Sequence, residues 1–239
     1  MSDAEHQREP KYLLRGFEKW ILPRLASALP KWVLPDHLTL LGIASAAGIG
    51  VCYAASGHST NYLWAANALW VIHWFGDSLD GTLARVRRIQ RPRYGYYLDH
   101  TVDMFAVACV CLGLGFSPYL LLSVGLAMLM AYYLMSINVY LETFVLKKFQ
   151  FGYAYIGPTE ARIILILAGS ALALGVEPKF ELRHVPFGPL DLIGLAGVAV
   201  MLILLLRRII QNLVHLAKLE PPNVVKQTAP AKGERSGST

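Results

Sequence analysis

The stretch 73-HWFGDSLDGTLAR-85 ends an apolar run and places two carboxylates, Asp77 and Asp80, where the surrounding residues read as membrane-embedded. A carboxylate in or beside lipid is costly and tends to mark function. Two more, Asp99 and Asp103, stand at the start of the next apolar run. Any fold proposed for this chain has to account for both pairs.

The sequence around them is lean in charge. Of 239 residues, 55% are hydrophobic and 16% charged, with a mean hydropathy of +0.43. A soluble domain carries about 25% charged residues. The deficit and the repeated apolar runs of about 20 residues indicate an all-α polytopic membrane protein. Six transmembrane helices are expected, over residues 38–56, 61–81, 97–116, 118–141, 160–176 and 189–210. Ahead of them, 12-YLLRGFEKWILPRLASALPKWVLP-35 mixes Trp20 and Trp32 with Arg15, Lys19, Arg24 and Lys31. That composition predicts an amphipathic helix lying in the membrane interface, interrupted near Pro23. The expected organisation is a tail and interfacial helix over 1–34, a six-helix transmembrane domain over 35–212, and a polar tail over 213–239. The Pro-rich end of that tail is expected to be disordered.

Charge orients the bundle. Five basic residues precede the first span, Lys11, Arg15, Lys19, Arg24 and Lys31, and Arg85, Arg87, Arg88, Arg91 and Arg93 fill the second connection. Lys147 and Lys148 follow the fourth span, and Arg207 and Arg208 end the sixth. The opposite connections SGHSTN and GFSPY carry no Lys or Arg; the last, 177-EPKFELRHVPFG-188, offsets Lys179 and Arg183 with Glu177 and Glu181. The positive-inside rule then puts both termini and both aspartate pairs in the cytoplasm. It also explains the net charge of +6 through anionic lipid, with no nucleic acid partner expected. Cys52, Cys109 and Cys111 lie within apolar runs and read as buried thiols. MSDAEHQREP lacks the basic segment and apolar core of a cleaved signal peptide.

Asp77 and Asp80 are three residues apart and Asp99 and Asp103 four apart, so each pair shares a helix face. The two spans are consecutive and antiparallel, which lets all four carboxylates converge at one depth. Converging carboxylates lose charge unless cations balance them. An all-oxygen donor set favours Mg²⁺ or Mn²⁺, and a pair of such ions can clamp a phosphoryl displacement. Gly81 and Gly95 leave room for a ligand, Ala84 is small, and Arg85, expected in the first turn of the loop, has a fork suited to a diphosphate.

These residues compose D-x2-D-G-x2-A-R-x9-G-x3-D-x3-D, running from Asp77 to Asp103. The pattern resembles the signature of the CDP-alcohol phosphotransferase (CDP-alcohol phosphatidyltransferase) family, whose central spacer is eight or nine residues. The segment 34-LPDHLTLLG-42 is similar to the start of the family's first span, where Pro-Asn is more usual than Pro35-Asp36. The resemblance implies transfer of a substituted phosphate from a CDP-linked alcohol to an acceptor alcohol, lipid or small, with release of CMP. It implies that Asp77, Asp80 and Asp99 ligate metal, that Asp103 joins them and acts as general base, and that Gly81, Ala84, Arg85 and Gly95 surround the CDP group. A homodimer is implied in the same way.

Donor and acceptor stay open. CDP-diacylglycerol with a soluble alcohol is one arrangement; CDP-choline or CDP-ethanolamine with diacylglycerol is the other. The chain is shorter than the ten-span eukaryotic enzymes, which favours the first, in a bacterial inner membrane. Glu160 and Arg162, in 156-IGPTEARIILIL-167, read either as an ordinary helix N-terminus or as part of the acceptor pocket. His100, beside Asp99, is a further candidate for that pocket. A cation-coupled transporter is the reading from a different class, but it gives no reason for Gly81, Ala84 and Arg85 at these offsets.

Overall fold

The computed structural model describes residues 13–146, 157–175, 180–182 and 185–220. They form helices α1 (Arg15–Ala28), α2 (Pro35–Ala55), α3 (Asn61–Val86), α4 (Pro92–Gly115), α5 (Leu122–Leu146), α6 (Pro158–Ala173) and α7 (Pro189–Leu219). A hairpin of β1 (Phe180–Leu182) and β2 (Val185–Phe187) interrupts the helices between α6 and α7, in a connection that reads from sequence as a loop. Lys11, Lys147, Lys148, Glu177, Lys179, Arg183 and the tail beyond Glu220 lie outside the described residues.

Proline sets four of the helix starts. Pro35, Pro92, Pro158 and Pro189 each occupy the first helical turn, where the missing N–H costs nothing and the fixed φ is already helical. At α6 and α7 a carboxylate three residues on reaches back: Gly157 N–H donates to Glu160 (3.0 Å) and Gly188 N–H to Asp191 (2.8 Å).

Four helices, α2, α4, α5 and α7, are long and apolar enough to cross a membrane. The other two expected spans differ for identifiable reasons. α3 is 26 residues long but carries Asp77, Asp80 and Arg85 in its second half, and α6 has 16 residues. Several helices outrun the apolar runs that announce them. α3 continues to Val86, so Arg85 sits in its last helical turn and not in the loop. The helix ends there in a Schellman arrangement, with Arg88 N–H donating to the Arg85 carbonyl and Ile89 N–H to that of Ala84, and Arg88 taking the left-handed φ of 57°. α7 runs past residue 212 to Leu219, because Ile209, Leu213 and Leu216 keep the helical apolar period among polar neighbours. α1 passes through Pro23 without the expected break, and the Arg24 guanidinium donates to the Trp20 carbonyl (2.6 Å) on the turn where the proline supplies no N–H.

Small residues bring α2, α3 and α4 into backbone contact. A methyl on Gly76 would lie 2.6 Å from the Leu38 carbonyl oxygen, and one on Gly113 would lie 2.3 Å from that of Gly50. Such close approach is how apolar helices associate where lipid supplies no hydrophobic driving force. Below this seam, Ile49, Tyr53, Leu63, Trp70 and Leu114 belong to the main core, with Trp70 Nε1–H donating to the Tyr53 hydroxyl (2.8 Å). α1 docks through Ala26, with Val33 and Leu38, against Leu79 and Leu83 of α3. Arg87 pins that docking by donating to the carbonyls of Leu29 (3.0 Å), Pro30 (2.8 Å) and Val33 beyond the end of α1. On the other side, Glu142 of α5 receives a two-pronged bond from Arg208 of α7 (2.9 and 2.7 Å).

Candidate metal and diphosphate site

The end of α3 and the start of α4 bring the aspartates together. Asp77, Asp99 and Asp103 each offer a carboxylate oxygen, and these oxygens lie within 4.8 Å of one another. Three like charges at that spacing need a cation to stay ionised together. Oxygen donors from two rigid helices suit a hard divalent ion, so the residues fit the metal that the motif implies. Asp80 is not within this group of three. It accepts the Thr39 hydroxyl of α2 (2.7 Å) and the Gly81 N–H.

Above the triad lies a polar cleft of about 370 Å³. Asp77, Asp80, Gly81, Ala84, Arg85, Gly95 and Asp99 all line it, so every position of the motif except Asp103 faces one space. A methyl on Gly95 would meet nothing within 4 Å, and at Gly81 it would crowd only the Arg85 guanidinium, at 3.4 Å. The two glycines therefore keep the cleft open. Arg85 is steadied by a bond to the Thr82 hydroxyl (2.9 Å). At the rim, Arg91 pairs with Asp36 and stacks over Tyr94, its Cζ 3.9 Å from the ring centre. The hydrogen bond to Asp36 raises the Arg91 pKa above its ordinary value.

A second chamber of about 560 Å³ adjoins the cleft and shares Asp77, Asp99 and His100 with it. Its other walls are mostly apolar: Trp70, Val110, Leu114, Met128, Tyr132 and Leu165. Along α4 it extends from Asp99 to Leu114, roughly 22 Å at 1.5 Å per residue. Asp103 opens onto this chamber alone of the two. The carboxylates thus form a wall between a polar space and an apolar one.

The remaining candidates separate. Arg162 of α6 enters the chamber and forms an ion pair with Asp77. Glu160 lines neither space; it accepts the N–H groups of Leu14 (2.8 Å) and Gly157, while its neighbour Thr159 bonds Glu18. As the third residue of α6, its carboxylate is within reach of the helix's own N-terminal N–H, in keeping with the helix N-terminus reading, and it also clasps the start of α1 to α6. His100 faces both spaces, with Nδ1 2.8 Å from the Tyr96 carbonyl oxygen and 3.6 Å from Asp99. Sequence reading missed Thr39, which only the α2–α3 pairing brings to Asp80. It also gave His73 no role in the site. His73 lines the chamber, is buried, and has no hydrogen-bond partner for Nδ1 among the described residues. Its place one turn before Asp77 was the available signal.

Residues 32–219 match the CDP-alcohol phosphatidyltransferase family, and the chain belongs to it. It is accordingly a transferase of phospholipid biosynthesis. Among curated proteins it is similar to the archaetidylinositol phosphate synthase of Methanothermobacter thermautotrophicus, 30% identical over 148 residues that cover 61% of this chain and 70% of that one. Among solved structures it shares the fold of Mycobacterium tuberculosis phosphatidylinositol phosphate synthase. With CDP-DAG bound, that structure matches at a TM-score of 0.56 and 23% identity over 79% of this chain and 92% of the other. In complex with manganese and citrate, it matches at 0.57 and 23% over 90% and 97%.

Proposed function

We propose that this chain transfers a phosphatidyl group from CDP-diacylglycerol to a soluble alcohol, releasing CMP, at the cytoplasmic surface of a bacterial inner membrane. In this reading α2 to α7 all cross the bilayer, α1 lies in the interface, both termini are cytoplasmic, and two copies form a homodimer. The observation that carries the proposal is the shared wall. A polar cleft for a nucleoside diphosphate and a 560 Å³ apolar chamber meet at Asp77 and Asp99, as a donor with a charged head and acyl tails requires. The solved relative of this fold that holds CDP-DAG and the inositol-phosphate chemistry named for the archaeal relative support the same donor and a polyol-type acceptor.

Asp77, Asp80, Asp99 and Asp103 would hold Mg²⁺ or Mn²⁺, with two ions in the full site. Bound there, the ions would supply positive charge to the diphosphate and to the departing CMP. The side chains do the rest. Arg85 places its fork against the diphosphate, and Gly81, Ala84 and Gly95 leave space for the cytidine. Asp103 accepts the proton of the acceptor hydroxyl as its oxygen attacks phosphorus. The bond from phosphorus to the CMP oxygen breaks, and CMP leaves with the electron pair. Tyr132 and the apolar chamber walls keep water from competing as the nucleophile.

A second reading pairs CDP-choline or CDP-ethanolamine with diacylglycerol. The segment 157-GPTE-160 is similar to one in eukaryotic choline and ethanolamine phosphotransferases. The Glu160-x-Arg162 pair is equally similar to one in inositol-phosphate lipid synthases, so the segment does not choose between the readings. A donor-by-acceptor panel with purified protein, Mn²⁺ and mass detection of lipid products separates the two. CMP release only with CDP-diacylglycerol and a soluble alcohol bears out the first; release only with diacylglycerol as acceptor replaces it with the second.

A further inference from the structure

The carboxylate wall contains one cation of its own. Arg162 Nη2 pairs with Asp77 Oδ2, and it is the one Arg or Lys paired with Asp77, Asp99 or Asp103 among the described residues. It reaches them from α6, a helix with no residue in the motif. Both partners are largely enclosed, with side chains 11% and 23% exposed. A guanidinium cannot shed its proton, so its charge cannot be removed when another cation arrives. It must move away from Asp77 or repel the newcomer.

We propose that Arg162 is an internal counter-ion that competes with the divalent metal for Asp77, holding α6 against α3 in the metal-free protein and weakening metal binding to the loaded site. This rests on the proposed metal role of the aspartates. The chemistry is an exchange of cations at one carboxylate: the Asp77–Arg162 pair opens, Asp77 turns to the ion, and the guanidinium is left in the chamber. Arg162 acts through Asp77 and is a positioning residue in this account. The clasp at the start of α6 is part of the device. Glu160 and Thr159 tie α6 to α1 two and three residues before Arg162, which fixes the backbone from which the guanidinium reaches.

The test measures metal binding without substrate or turnover. Wild type, R162K and R162Q are purified in lipid nanodiscs, stripped with chelator, and titrated with Mn²⁺ while electron paramagnetic resonance reports the free ion. Because the guanidinium and the metal are linked through one carboxylate, R162Q is expected to bind Mn²⁺ about tenfold more tightly than wild type. R162K, which keeps a charge but loses the planar fork, is expected to fall between them. R162Q should also melt lower than wild type when metal-free and gain more from saturating Mn²⁺. If R162Q proves too unstable to strip, the R162K comparison decides. Mn²⁺ binding to the variants that equals or falls below wild type overturns the counter-ion role while leaving the metal site standing. No Mn²⁺ binding by wild type overturns both.

Discussion

Thr39 donates a 2.7 Å hydrogen bond to Asp80, tying the first turns of α2 to the aspartate that stands outside the triad. Thr39 is buried, and its hydroxyl also lies 3.3 Å from the Pro35 carbonyl oxygen, a longer contact than the one to Asp80. Replacing it with valine keeps the shape but leaves one Asp80 oxygen without that donor, at a cost of about 1–3 kcal/mol. T39V is expected to lower kcat/KM for the CDP-linked donor roughly tenfold, and T39S to restore most of it. Kinetics of both variants, with melting temperatures measured alongside, check this. Equal loss in T39S and T39V would remove the hydrogen bond from the explanation.

The two kinds of glycine in the site make opposite predictions. Gly76 precedes Asp77 and packs on backbone, where a methyl would come 2.6 Å from the Leu38 oxygen and 2.8 Å from the Gly42 nitrogen. Backbone cannot yield as a side chain does, so G76A is expected to destabilise by about 1–3 kcal/mol and to shift Asp77. Gly95 faces open space. G95A should leave the melting temperature within a degree or so of wild type and instead raise KM for the donor. Thermal unfolding in detergent and donor titrations read the two effects separately; a stable G76A or an unstable G95A would contradict the packing.

How much of this was legible in the sequence depends on distance along the chain. Asp77, Asp80, Asp99 and Asp103 announce themselves because helical spacing of three and four residues is local, and the short basic connection makes α3 and α4 antiparallel neighbours. Gly81, Ala84, Arg85 and Gly95 came with them and do line one cleft. Thr39 and Arg162 reach the aspartates across 41 and 85 positions, and no local period encodes such pairings. Glu160 caps α6 through Gly157, as a helix N-terminus should, while its bond from Leu14 spans 146 positions and has no local signature. The helix ends slipped because hydropathy marks where lipid ends and not where hydrogen bonding does: Arg85 and Leu219 are helical outside their apolar runs. Arg88, a non-glycine residue with left-handed φ, hid the true end of α3.

Glu142 and Arg208 form the main polar tie between α5 and α7, at 2.7 and 2.9 Å, with the Glu142 side chain 6% exposed. Removing the arginine alone strands a buried carboxylate, which costs about 3–5 kcal/mol. R208M is expected to lower the melting temperature well below that of E142Q/R208M, in which no charge is left behind. The order of the two melting temperatures decides; a double variant no better than R208M would show that the pair is worth more than its unpaired charge.

Asp103 differs from the other three aspartates in facing only the apolar chamber. If its task is to take the acceptor proton, the asparagine variant loses the base while keeping an oxygen toward the metal. D103N is expected to reduce kcat by about 10²–10⁴ while Mn²⁺ binding weakens by no more than about tenfold. D99N, a change at a residue bordering both spaces, should weaken Mn²⁺ binding and turnover together. The informative comparison is the ratio of the two losses in each variant. Proton transfer predicts a large ratio for D103N and a ratio near one for D99N. Unchanged turnover in D103N would remove Asp103 from the chemistry, and equal ratios would make it one more ligand. A role confined to the metal cannot reproduce a loss of rate that survives saturation with Mn²⁺, so the measurement at saturating ion distinguishes a base from a ligand.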